Sequence, residues 1–278
     1  MQATLRRPIR FEGVGVHSGK LARVEVRPAA VDEGIAFVFP DGKRVPATSD
    51  RIVDTARATV VGEGADSVST VEHLLSALFA LGVSNADVAV DGPEIPVEDG
   101  SAERFADAIA EAGVALQDRE RPTLELTQPL SYRSGDRAVV LLPSDAFRVR
   151  FVADFPPPVG VQYFDGAIEP ESYRREIAGA RTFGYLHEIE ALRARGLALG
   201  GTLENALVFA PDGPMQPLRW PNEVVRHKVL DLVGDFSLLG MWPLCEVIAI
   251  KSGHELHATV TRDLRRRFAR RATPEKVR

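Results

Sequence analysis

The chain has 278 residues, 45% hydrophobic and 26% charged, a make-up that excludes disordered, collagen-like and coiled-coil proteins. Its 34 Lys and Arg against 39 Asp and Glu give a formal charge of −5, which argues against a dedicated nucleic-acid binder, since phosphate contacts need surplus cations. The single cysteine, Cys245, excludes an intrachain disulfide and a cysteine-rich metal cage and suits a reducing, cytoplasmic setting.

Arg6, Arg7 and Arg10 are not followed by the apolar stretch of a signal peptide, and no run nears the ~18 apolar residues of a membrane helix. Val24, Val26, Ile35 to Phe39 and Ala58 to Val61 read as strands punctuated by Gly and Pro. Over Ser69 to Leu81 the apolar positions Val71, Leu74, Leu75 and Leu78 change to helical spacing, and Ser69 with Glu72 forms a capping box. A strand at Ala86 to Val90 and a helix from Ser101 to Ala112, stopped by Gly113, complete the first half.

The polar run from Gln117 to Pro122 reads as a linker, dividing the chain into domains at 1–118 and 122–270. Strands resume at Leu124 to Leu126, Val139 to Leu142 and Phe147 to Val152. Tyr173 to Ala178 and Glu188 to Arg195 read as helices, and Ala206 to Phe209 as a strand. The longest helix is expected over Glu223 to Leu239, followed by a strand at Glu246 to Ile250 and a basic tail. The halves echo each other, with Val71-Glu72-His73 resembling Val225-Arg226-His227. A duplicated α+β fold is the economical reading: two similar domains, each a sheet layered with helices.

His227 and Asp231, four apart, share one helix face within reach of one ion; Asp235 is a further four along. Imidazole and carboxylate suit zinc or ferrous iron, whereas an isolated pair is also a common surface arrangement. Two acids and a histidine on an otherwise apolar helix are costly to bury without a cation or partner. His73, in the first turn of the earlier helix, is the candidate third ligand. Glu72 is accounted for by its capping role; the alternative is a general base for a water activated by the metal. His254 follows Lys251-Ser252-Gly253 just past a strand end, in loop territory. His254 and His257 are three apart and do not meet the spacing of a zinc-protease helix. His17, between Gly15 and Gly19, contacts a ligand or belongs to a turn. No phosphate-loop lysine motif and no serine-hydrolase elbow occurs.

In ordered blocks the sequence resembles the metal-dependent UDP-3-O-acyl-N-acetylglucosamine deacetylases of lipid A biosynthesis. The blocks are Gly13 to Gly19, Ser69 to Leu74, Pro93 to Pro96 with Asp99 to Ala102, Ala180 to Gly184, Val225 to Asp231 leading to Gly234-Asp235, and Lys251 to His254. The resemblance implies two α+β sandwich domains meeting face to face, with the metal at their junction. It implies His73, His227 and Asp231 as ligands of Zn2+, or Fe2+ in the cell, and hydrolysis of the N-acetyl amide of a UDP-linked, 3-O-acylated glucosamine. Glu72 would take the water's proton. Thr182 and Lys228 would donate to the oxyanion. His254, held cationic by Asp235, would protonate the leaving amine, unless Glu72 serves both proton transfers.

For the substrate, the resemblance brings His17, Lys228 and Lys251 near the sugar diphosphate. Phe183, Tyr185 and Glu188 would face the nucleotide sugar. Leu197, Ala198, Gly201, Thr202 and Val208 would line an acyl-chain passage. Two departures, Phe155 to Pro158 without a preceding histidine and His257-Ala258 in place of an Asn-Asn pair, leave the ligands alone and are expected to bear on selectivity. The basic run from Arg262 to Arg278 is a solvated helix end or a weak contact with an anionic membrane surface. A monomer acting on a small molecule is expected. Alternatives are a paralogue acting on another N-acetylated amino sugar and a non-catalytic nucleotide-sugar binder, which could afford to lose Glu72 or His254.

Overall fold

A computed structural model describes residues 1–268. Its centre is a pair of mixed sheets with the same strand order. In the first, Ile9–Val14, Leu21–Pro28, Ala86–Asp91, Ile35–Val38 and Arg44–Pro46 lie side by side in that order. Ala86–Asp91 runs antiparallel to Leu21–Pro28, with Val88 opposite Val26, and parallel to Ile35–Val38. The second sheet orders Leu130–Ser134, Arg137–Pro143, Trp242–Ile250, Arg148–Phe155 and Gly160–Ala167 in the same way. Its central strand is again antiparallel to one hairpin and parallel to the other. Thr123–Glu125 adds a short parallel pairing at the start of Trp242–Ile250.

The helices repeat the correspondence. In chain order they are α1 (Glu72–Ala80), α2 (Glu103–Ala112), α3 (Pro170–Glu176), α4 (Ile189–Ala194), α5 (Glu223–Ser237) and α6 (His254–Phe268). α1 precedes and α2 follows the central strand of the first sheet; α5 and α6 stand in the same places around the second. Each half also carries a small three-stranded sheet just ahead of its first long helix. The chain is thus a duplicated α+β fold, as its sequence echo implied.

α1 and α5 are buried along nearly their whole length, because both are clasped between the halves. Leu74, Leu75 and Leu78 join Val229, Leu232, Val233 and Phe236 in one apolar core running through both halves. Each such side chain removed from water contributes roughly 1.5–3 kcal/mol. Trp242–Ile250 shows the underlying period of two, with Pro243, Cys245, Val247 and Ala249 turned inward.

Two local expectations are corrected. Ser69 and Glu72 form no capping box: α1 starts at Glu72, with Val71 at its N-cap and no side-chain cap. The Ser69 backbone is engaged in a bridge to Glu94, and Thr70 takes a left-handed turn at φ 56°. His254 is the first residue of α6, not a loop residue. The basic run begins on that helix, where Arg262 donates to the carbonyls of Ser49 and Ile52 and Arg265 to that of Leu239. Positions 269–278 of the run lie outside the described residues. Among the described residues no helix is long and apolar enough to cross a membrane.

Candidate metal centre and active site

The N-terminus of α1 and the middle of α5 bring His73, His227 and Asp231 together, each at most 4% exposed. His227 Nε2 is 3.3 Å and His73 Nε2 3.9 Å from Asp231 Oδ1. The three ligand atoms lie within 4.8 Å of one another. A tetrahedral zinc with bonds of ~2.0–2.1 Å holds its ligand atoms ~3.3–3.4 Å apart, so the set fits such an ion with small adjustment. His227 Nδ1 is 3.0 Å from the Ala180 carbonyl oxygen, which fixes the ring proton there and leaves the Nε2 lone pair for an ion. Burial lowers the pKa of His227 and takes that of His73 down to about 3, so both rings are neutral, as ligation requires. Burial opposes the Asp231 charge, yet the Lys228 ammonium and the His254 cation beside it hold its carboxyl well below the usual range.

Around this set stand groups suited to moving protons. Glu72 Oε2 accepts the Thr59 backbone N–H at 3.1 Å, and its Oε1 is 3.8 Å from His254 Nε2. Burial raises the Glu72 carboxyl to about 8, with His254 pulling against it and Asp231 and Asp235 adding to it. A divalent cation beside it would draw it back toward the ionised form that a base needs. Burial also acts against the His254 cation, but the Asp235 carboxylate, 2.8 Å from Nδ1, with Glu72 and Asp231, lifts its pKa to about 9. Asp235 accepts as well from Thr59 Oγ1 at 2.5 Å and from His257 Nδ1 at 2.7 Å. Despite its burial it is held down to about 2, by His254 first and then His257.

These groups open onto a cavity of about 500 Å³. Glu72, His73, Thr182, His227, Lys228, Asp231 and His254 all line it. So do His17, Phe183, Tyr185, Glu188, Ala198, Gly201, Thr202 and Val208, with Ile189, Leu192 and Leu203 among its apolar members. Lys228 Nζ donates to Asp231 Oδ2 at 2.6 Å, and the Tyr185 hydroxyl donates to the Pro156 carbonyl. Asp235 lies behind the wall, and Leu197 is not part of the lining. Lys251 borders a neighbouring cavity of about 250 Å³ that shares Lys228 and Phe155 with the main one; its ammonium pairs with Asp154 and Asp136.

Sequence reasoning missed Thr59, the Ala180 carbonyl, Arg57 and Glu94. Glu94 is buried and accepts from the His17 and Ser18 backbone N–H groups and from the Thr70 hydroxyl, tying the Gly15–Gly19 turn to the start of α1. His257 is corrected: expected to bear on selectivity, it is fully buried against Asp235 and lines neither cavity.

Two histidines and an aspartate converging beside a glutamate and a charged histidine, where duplicated α+β halves meet, are the parts of a metal-assisted hydrolase. The sequence pattern of the UDP-3-O-acyl N-acetylglycosamine deacetylase family matches residues 2–266. The UDP-3-O-acyl-N-acetylglucosamine deacetylase of Syntrophotalea carbinolica is 45% identical over 262 residues, covering 92% of this chain and 85% of that one. Its namesake from an Anaeromyxobacter species is 46% identical over 94% of this chain and 87% of its own. That of Phenylobacterium zucineum is 44% identical, over 95% and 92%. The chain belongs to the UDP-3-O-acyl-N-acetylglucosamine deacetylase family.

Proposed function

We infer that the protein hydrolyses the N-acetyl amide of a UDP-3-O-(3-hydroxyacyl)-N-acetylglucosamine, releasing acetate and the free amine in the committed step of lipid A biosynthesis. The observation that carries this reading is the convergence of His73, His227 and Asp231 with Glu72 and His254 on one cavity. His73, His227 and Asp231 would hold the metal ion, zinc, with ferrous iron as the alternative in the cell. When bound, such an ion supplies Lewis acidity toward the attacking water and the amide carbonyl.

The remaining steps fall to side chains. Glu72, aimed by the Thr59 amide, takes a proton from the attacking water as its oxygen adds to the acetyl carbon. Thr182 and the Lys228 ammonium donate to the oxyanion of the tetrahedral intermediate. His254, charged and steadied by Asp235, protonates the nitrogen as the C–N bond breaks, so the amine departs neutral. His17, Lys228 and Lys251 provide donors and cations for the diphosphate. Phe183, Tyr185 and Glu188 serve the nucleotide sugar. Ala198, Gly201, Thr202 and Val208, which line the cavity, serve the acyl chain, each buried methylene contributing about 0.8 kcal/mol. The halves 1–118 and 122–270 act as two domains with the metal between them. A monomer in the cytoplasm is the setting this reading expects; the lone cysteine suits the reducing compartment.

The test is acetate release from that substrate by protein stripped of metal and then given one equivalent of zinc. Activity should appear with the metal and fall by orders of magnitude in His227→Ala. Folded, zinc-loaded protein that releases no acetate would overturn the assignment.

A further inference from the structure

Behind the acid/base pair a chain of hydrogen bonds links two histidines of α6 through one carboxylate of α5. Ser252 Oγ is 2.8 Å from His257 Nε2, and His257 Nδ1 is 2.7 Å from Asp235 Oδ2. His254 Nδ1 reaches the same oxygen at 2.8 Å, while Thr59 Oγ1 takes Oδ1. An ionised carboxylate only accepts, so both histidines must donate from Nδ1. That leaves His257 Nε2 as an acceptor for the Ser252 hydroxyl and settles its tautomer. His257 is completely buried and touches neither the cavity nor any of the proposed metal ligands. Its two nitrogens are both satisfied, as a buried imidazole requires.

The consequence lies in Oδ2. One oxygen carries both histidine N–H groups, so the ring of His257 decides where that oxygen points. Without the second donor on Oδ2, only Thr59 on Oδ1 and His254 itself hold the carboxylate, and its aim at His254 loosens. We propose that His257, backed by Ser252, is a positioning residue for the deacetylation: it fixes the Asp235 carboxylate and through it the orientation of the His254 ring. This rests on the reading of His254 as the proton donor in the proposed function.

The test uses the zinc-loaded full chain and measures kcat and KM for acetate release. His257→Leu, close in volume but without a donor, should lower kcat about tenfold or more with KM within about twofold, the loss typical of an outer hydrogen-bond partner. His257→Asn places an amide N–H where Nδ1 stood and should recover most of that loss. In an Asp235→Asn background the same His257→Leu change should cost less than about twofold, because residues acting through one another are not additive. Wild-type kcat in folded His257→Leu, or an undiminished loss in the Asp235→Asn background, would overturn the positioning role. A wild-type enzyme that releases no acetate would instead sink the proposed function, and this inference with it. If His257→Leu does not fold, the imidazole 15N shifts of the wild-type protein decide. A neutral His257 protonated at Nδ1 is expected, and protonation at Nε2 would break the chain from Ser252 to Asp235.

Discussion

Thr59 holds Glu72 by its backbone: the amide N–H of Thr59 donates to Glu72 Oε2 across 3.1 Å. The glutamate therefore serves the cavity and not the helix end that it begins. Glu72→Gln keeps an acceptor for that N–H and removes the base. Its kcat should fall by about 10²–10⁴-fold, the usual worth of a general base, with metal content and melting temperature close to wild type. Steady-state acetate release and metal analysis on one preparation check this; near-wild-type kcat would remove Glu72 from the chemistry.

The metal set makes a separate prediction about stability. An ion that binds the folded chain alone stabilises it by about 2.7 kcal/mol at a hundredfold excess over its Kd. Zinc added to stripped protein should raise the melting temperature of the wild type and leave that of His73→Ala nearly unchanged. An equal rise in both would place the ion elsewhere.

His254 gives the pH dependence. Its pKa is raised above the ordinary imidazole value, so its acid form, and the activity that needs it, is present at low pH and lost as pH rises through the folded value. Asp235→Asn deletes the nearest negative charge, 2.8 Å away, and lowers that value. The alkaline limb of kcat should therefore move toward neutrality by about one pH unit or more. A limb that stays in place or moves to higher pH would remove His254 from the proton-donating role.

How much of this was legible in the sequence follows from what encodes each contact. His227, Asp231 and Asp235 were readable because a four-residue step on one helix is itself a statement of shared direction, and α5 formed where the pattern put it. The duplication was readable because both halves repeat the order of helix, strand and helix. Thr59 was not, since its role depends on a backbone N–H and on an aspartate 176 positions away. The Ala180 carbonyl carries no side-chain signature at all. Ser69 and Glu72 had the spacing of a cap, but the bridge from Ser69 to Glu94 and the left-handed turn at Thr70 take Ser69 off the helix end, and tertiary pairing overrode the local signal. His257 was visible only as a departure; its meaning needed α6 to be laid against α5.

Gly234 supplies the last prediction. A Cβ there would stand 2.2 Å from the Glu72 carbonyl oxygen and 2.8 Å from the Glu72 Cα and carbonyl carbon. These are backbone atoms of α1 and cannot swing aside, so the glycine is what lets α5 approach the residue carrying the proposed base. Gly234→Ala must push α1 away from α5. Overpacking of this kind costs about 1–3 kcal/mol and here displaces Glu72 and His73 together from His227 and Asp231. We expect a lower melting temperature, weaker zinc binding and a drop in kcat of about tenfold or more, since misplacement near 1 Å can cost a hundredfold. Gly82→Ala is the control for general backbone strain: that position is also a glycine, at φ 85°, but nothing stands within 4 Å of its Cβ. It should lose stability without losing zinc affinity. Equal effects of the two substitutions on zinc binding would show that the close approach at Gly234 does not shape the site.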